Sequence, residues 1–236
     1  MKNTGFLGGL YALTEWIMRL SLINLLWILF NIPVLFLALN ILFVQQMQDL
    51  IIIIVPITML IPILFFPATT AMFASARSWL IEVDDLPIIR TYWKFYKTNY
   101  KKSLLGGLIF TAIWGIWAVD IYYLSDVHVF LMYIFLAMGI ILFVYTLNFF
   151  SLLCHYEMKL FPLLKNTLIV TLASPLLFLT IVLSSAFIIY ISFEFFKFLI
   201  PFFTVSLIAF LSFSAFYRFY LKVQEKKEER KKEINK

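Results

Sequence analysis

The residues that can carry covalent chemistry are few and poorly spaced for it. Cys154 and His155 are adjacent, with Glu157 close behind. A nucleophile and its base need a third group that orients the base, and nothing in the sequence places an acid behind this histidine. A buried free thiol next to polar residues at a helix end explains the cluster with less machinery. His128 follows the acids Asp120 and Asp126, yet two histidines far apart supply no metal-ligand spacing. A single cysteine excludes an intramolecular disulfide. There is no Walker loop and no dinucleotide fingerprint, so ATP-driven work would require another subunit. The chain therefore reads as a non-enzyme, with no catalytic, cofactor-binding or metal residues assigned.

The polar residues inside apolar stretches are the next candidates. Asn24 and Asn31 are seven apart, near one face of a helix, and Asn40 follows toward its far end. Two amides on one face of a membrane helix favour contact with another helix over contact with lipid, or else a polar ligand. The stretch with Pro56, Pro62 and Pro67 continues into Ala68-Thr69-Thr70-Ala71. Each internal proline removes a donor and frees a carbonyl, so this segment is expected to bend or break, with the threonine hydroxyls capping freed carbonyls. Asn148 sits in the inner half of a later apolar run, and Ser174-Pro175 interrupts the next one. Gly106 and Gly107 permit close helix approach. The apolar runs hold no ionisable residue, which leaves a proton-coupled mechanism without support.

A third group is basic. From Asp84 to Lys102, Leu86, Ile89, Trp93, Tyr96 and Tyr100 recur at spacings of three and four, and Arg90, Lys94, Lys97 and Lys101 do so on another side. This pattern predicts an amphipathic helix, capped by Asp84 or Asp85 with Pro87 in the first turn, lying in the membrane interface with its aromatics toward lipid or the bundle. Its basic face, with Asn99 among these residues, is a candidate surface for anionic lipids or for a cytoplasmic partner.

The elements that position these residues follow from six uncharged runs: 20–44, 50–76, 103–119, 129–154, 166–193 and 198–217. Most reach the roughly 20 residues needed to cross about 30 Å of hydrocarbon; the third is short. They are continuously apolar, as helices are, rather than alternating as barrel strands would be. Hydrophobic residues make up 63% of the chain and charged residues 14%, too apolar for a soluble domain, where about 25% are charged. The expected fold is all-α and polytopic: about six transmembrane helices in one domain (1–220), an interfacial amphipathic helix between the second and third, and a charged tail (221–236) extending the sixth. The gap Glu194–Lys197 is short enough that the last two segments can alternatively be a crossing and a re-entrant piece. Residues 1–19 read as an interfacial lead-in, and the first run is too long for a cleaved signal.

Charge orients the bundle. Lys and Arg number 2, 6, 2 and 8 on the N-terminus, the 77–102 loop, the 155–165 loop and the tail, against the single Lys197 on the other side. By the positive-inside rule both termini are expected in the cytoplasm of a bacterial inner membrane. The net charge of +6 then reflects anionic inner-leaflet lipids rather than nucleic acid, which is not an expected partner.

Three stretches carry a family resemblance: Asn24 to Pro33 (NLLWILFNIP), Phe66 to Phe73 (FPATTAMF) with its continuation through Arg77 and Trp79, and Tyr92 to Ser103 (YWKFYKTNYKKS). In order and spacing they resemble the YesL-like family of bacterial membrane proteins, a domain of unknown function found with carbohydrate-utilisation genes. The positions carrying the likeness are Asn24, Trp27, Pro33, Pro67, Thr69, Lys97, Asn99 and Ser103. The resemblance implies an accessory or regulatory role beside sugar uptake systems, with ABC-type transporter subunits as partners, and assigns no ligand or catalytic role to any residue. A small-solute or sugar permease using a polar path near the first two helices is the alternative.

Overall fold

In the computed structural model of the chain, the described residues are 6–81, 87–127 and 129–234. Eight α-helices build it: α1 (Phe6–Ile41), α2 (Met47–Leu60), α3 (Phe66–Ile81), α4 (Ile88–Val127), α5 (Val129–His155), α6 (Leu160–Ala173), α7 (Pro175–Glu194) and α8 (Val205–Ile234). Short π-helical turns at Ile61–Phe65 and Ile200–Thr204 lead into α3 and α8. Six continuous helical segments are long and apolar enough to cross a membrane, and no strand occurs among the described residues. Their outer faces carry Phe36, Ile52, Ile116, Leu183 and Phe187, all more than half exposed. Such a surface is stable against lipid and would aggregate in water. The chain is an all-α polytopic membrane protein.

Side-chain contacts define an antiparallel bundle. Trp16 packs edge-on against Trp79 while Trp27 reaches Thr69; Thr70 meets Ser103 while Pro62 lies against Gly107. The start of α1, the end of α3, the start of α4, the end of α5 and the tail therefore share one end of the bundle, where Lys and Arg concentrate. At this basic end Arg19 pairs with Glu15 and covers the Trp79 ring.

Helix α3 is the hub. Every residue from Phe66 to Ala76 is buried, so this helix has no lipid-facing side. Its alanines and serines let α1, α4, α5 and α8 approach closely. Phe66, Phe110, Phe149 and Phe150 fill the space around it. At Gly107 α4 meets the π-turn backbone, since a Cβ there would stand 2.9 Å from Pro62 Cα.

Several elements differ from the sequence reading. The aromatic-basic stretch is not a separate interfacial helix: it is the first half of α4, continuous with the third crossing. At 40 residues this helix measures about 60 Å, twice the hydrocarbon thickness. Its capping residues Asp84 and Asp85, and Leu86, lie outside the described residues, as does His128. The lead-in is likewise helical from Phe6 and forms one rod with the first crossing. The run 166–193 is two helices, because Pro175 has no N–H to continue α6 and Ser174 caps α7 by accepting from Leu177 N–H. Helix α7 alone, at 20 residues, spans about 30 Å, whereas α6, at 14, is too short to cross. The proline-rich second segment is helical without a break from Met47 to Ile81, with a π-turn at Ile61–Phe65 just ahead of Pro67.

Candidate functional site

Five backbone carbonyls of the Phe65–Ala71 segment receive side-chain donors. Thr69 and Thr70 hydroxyls donate to Phe65 and Phe66 carbonyls at 2.7 and 2.9 Å. Tyr92 Oη donates to Ala68 O at 2.8 Å from α4, Cys154 Sγ to Thr70 O at 3.3 Å from α5, and Ser75 Oγ to Ala71 O at 2.9 Å. Trp27 Nε1 donates to Thr69 Oγ1 at 2.9 Å, extending the chain of bonds into α1, and Thr70 Oγ1 lies 2.6 Å from Ser103 Oγ. The Pro-Ala-Thr-Thr-Ala stretch thus works as a buried polar knot that ties four helices together. Trp27, Pro67 and Thr69 belong to it; Pro33 does not, being exposed on α1.

The asparagines divide. Asn24, fully buried, bridges to the opposite end of the chain: Nδ2 donates to the carbonyls of Pro201 and Ile200 at 2.7 and 3.3 Å, and Oδ1 accepts from Ser206 N–H at 3.0 Å. Pro201 and Ser206 are five apart, the pair that a further π-helical bond would join, so the Asn24 amide is inserted into the backbone ladder entering α8. Asn31 is equally buried but donates only within its own helix, to Trp27 O at 2.8 Å, and its Oδ1 has no partner. Asn148 donates to Thr171 Oγ1 at 3.0 Å and fastens α6 to α5, again with Oδ1 unpaired.

Cys154 and His155 are both packed against protein groups. The Cys154 thiol points at Thr70 O. The His155 ring sits among Tyr156, Phe216, Tyr217 and Tyr220, with centroids 4.8, 5.7, 6.0 and 4.5 Å away. Among the described residues no three His, Cys, Asp or Glu side chains gather in a metal-binding group.

The basic surface is the accessible feature. Arg90, Lys94, Lys97 and Lys101 are all exposed along one side of α4. Lys97 Nζ lies 4.7 Å from the Trp93 ring centroid, a cation–π contact. Asn99 is half-buried and donates to Phe95 O at 3.2 Å. On another side of the same turns Tyr92 and Tyr96 are buried and pack on Phe30 of α1, at 5.9 and 4.6 Å between centroids, while Ile89 and Trp93 stay exposed. Tyr92 and Tyr96 therefore face the bundle, and their packing fixes the helix that carries the four cations.

Residues 20–121, which hold the knot and the basic surface, match the family described as "Protein of unknown function, DUF624". Three Bacillus subtilis (strain 168) proteins are similar. The uncharacterized protein YteU is 29% identical over 95% of this chain and 91% of its own length. For YesL the identity is 25% over 71% and 68%, and for YesV 25% over 81% and 81%. The chain is related to the YesL-like family. No solved structure matches it. The family match ends at residue 121, so it covers the YesL-like motifs in α1, α3 and α4, whereas their anchor in α8, the Ile200–Ser206 segment held by Asn24, lies beyond it.

Neither Ser206 nor Pro201 stood out in the sequence. Their only signal is a proline close after a short break, which is too common in membrane helices to single out.

Proposed function

We propose that this YesL-like chain is an accessory or regulatory protein of the bacterial inner membrane, associated with oligosaccharide uptake. Both termini lie in the cytoplasm, and the basic side of α4 meets a subunit of a sugar ABC transporter or another acidic cytoplasmic partner. One observation carries this reading: Arg90, Lys94, Lys97 and Lys101 are exposed while Tyr92 and Tyr96 of the same helix are packed into the bundle. A packed helix sets the spacing of the four cations before docking, which favours recognition of a complementary acidic surface. The sugar association rests on the gene company that the family resemblance implies, and the orientation on the positive-inside bias.

The competing reading, a permease path near the first two helices, has less support. Asn24, Trp27, Thr69 and Thr70 direct their donors at protein carbonyls and hydroxyls, as helix-fastening groups do. Deletion of the gene tests the proposal, with uptake, induction and transporter assembly followed over a panel of oligosaccharides. A defect restored by the wild-type chain but not by one with α4 charges reversed is expected. Unchanged uptake, induction and assembly would overturn it, and sugar flux through the purified chain in liposomes would favour the permease.

A further inference from the structure

A second feature lies away from the knot and from the basic side of α4. Helices α7 and α8 pack antiparallel, and near the start of α7 they part into a groove of about 640 Å³. Leu177 and Leu211 contribute apolar wall, while Thr180, Ser184 and Ser214 form a polar stripe along it. At its basic end stand Arg218 and Lys222, both exposed. Glu225 forms the outer lip, yet among the described residues no ion pair joins it to either cation. Ser174, 8% exposed and at the start of α7, lines the same basic end. Its oxygen already accepts from Leu177 N–H, which leaves its hydroxyl proton to donate.

We infer that this groove holds one anionic glycerophospholipid of the surrounding bilayer, its phosphate between Arg218, Lys222 and the Ser174 hydroxyl. Three properties select that occupant. The groove sits where the apolar part of α8 gives way to its charged extension after Tyr217, the depth at which headgroups lie. Its two cations exceed its single carboxylate, which favours an anion over a zwitterion. From Leu176 on the groove wall, α7 continues outward with exposed Leu179, Leu183 and Phe187, a continuous apolar track for an acyl chain. A soluble phosphate would use only the charged end and leave that track uncovered.

The test uses the full-length protein in nanodiscs of equal parts phosphatidylglycerol and phosphatidylcholine, followed by mild release and native mass spectrometry of co-retained lipid. Wild type is expected to retain phosphatidylglycerol. The R218Q/K222Q variant should lower its retention relative to phosphatidylcholine by about 30-fold, from the surface attraction of two basic residues. Removing the same charge farther out, in K226Q/K227Q, should leave the preference intact. S184L keeps both cations but fills the groove, and should lose bound lipid of either kind. The inference is overturned if R218Q/K222Q and wild type retain the two lipids alike. It is also overturned if glycerol phosphate in solution displaces the bound lipid, which would mark a free-phosphate site, or if a cysteine at position 184 cross-links to a second copy, which would mark a self-association surface.

Discussion

Replacing Asn24 by leucine, which keeps the size and removes the amide, should loosen the attachment of α1 to α8. Three hydrogen bonds disappear: two to the carbonyls of Ile200 and Pro201, and one from Ser206 N–H. Two routes give the size of the loss. Interhelical hydrogen bonds in membrane proteins average about 0.6 kcal/mol, so three amount to about 2 kcal/mol. Orphaning even one buried backbone group costs about 1–3 kcal/mol by itself. A destabilisation of about 2–4 kcal/mol follows, at least 30-fold in the folding equilibrium. Asn31→Leu is the internal control. It removes one bond to the carbonyl of its own helix and also relieves an unpaired Oδ1, so it should cost less than about 1 kcal/mol. Reversible unfolding in mixed detergent and dodecyl sulfate micelles, followed by tryptophan fluorescence, measures both. Equal losses for the two variants, or an Asn24→Leu loss under about 0.5 kcal/mol, would refute the assignment of Asn24 as the clamp on the π-turn.

Other outcomes follow from the same packing. Gly107→Ala should destabilise by about 1–3 kcal/mol, because its Cβ would meet the Pro62 backbone, which cannot swing away, whereas Gly115→Ala, with open space around it, should be neutral or stabilising in the same unfolding assay. Tyr92→Phe removes a buried hydroxyl from Ala68 O but leaves the ring on Phe30; a loss of about 1 kcal/mol in chemical denaturation is expected. Single cysteines at exposed Lys94 and Lys226, in a background lacking Cys154, should react with an impermeant maleimide only after the cells are opened, and labelling of intact cells would reverse the orientation.

The membrane class and the number of crossings are legible in the sequence because six apolar runs obey a single physical requirement, backbone satisfaction in lipid. Helix-to-helix fastening by Asn24 is legible in kind, since a buried amide in a membrane helix must find a partner. Which partner is not legible. Asn24 and Asn31 present the same residue type at the same periodic face, and only the position of Ser206, far along the chain, separates a clamp from a local bond. Similarly, the spacing of Trp93, Tyr96 and Tyr100 shows an aromatic face but not whether lipid or protein covers it; that depends on Phe30 in another helix. The Ser174-Pro175 pair is a sufficient signal to divide α6 from α7, yet it is masked by apolar residues on both sides. The groove bounded by Arg218 and Lys222 arises only when α7 and α8 are paired, so no local pattern announces it.

The basic side of α4 is tested most directly by placing a photo-reactive amino acid at Lys94 or Lys97 in cells growing on an oligosaccharide. Alongside it, uptake is measured in a strain whose chain carries R90E, K94E, K97E and K101E. The expected result is a cross-link to a sugar-importer subunit from these positions and not from lipid-facing Phe187, with the cross-link and the uptake lost together on charge reversal. Normal uptake by the charge-reversed chain, at wild-type abundance in the membrane, would contradict it.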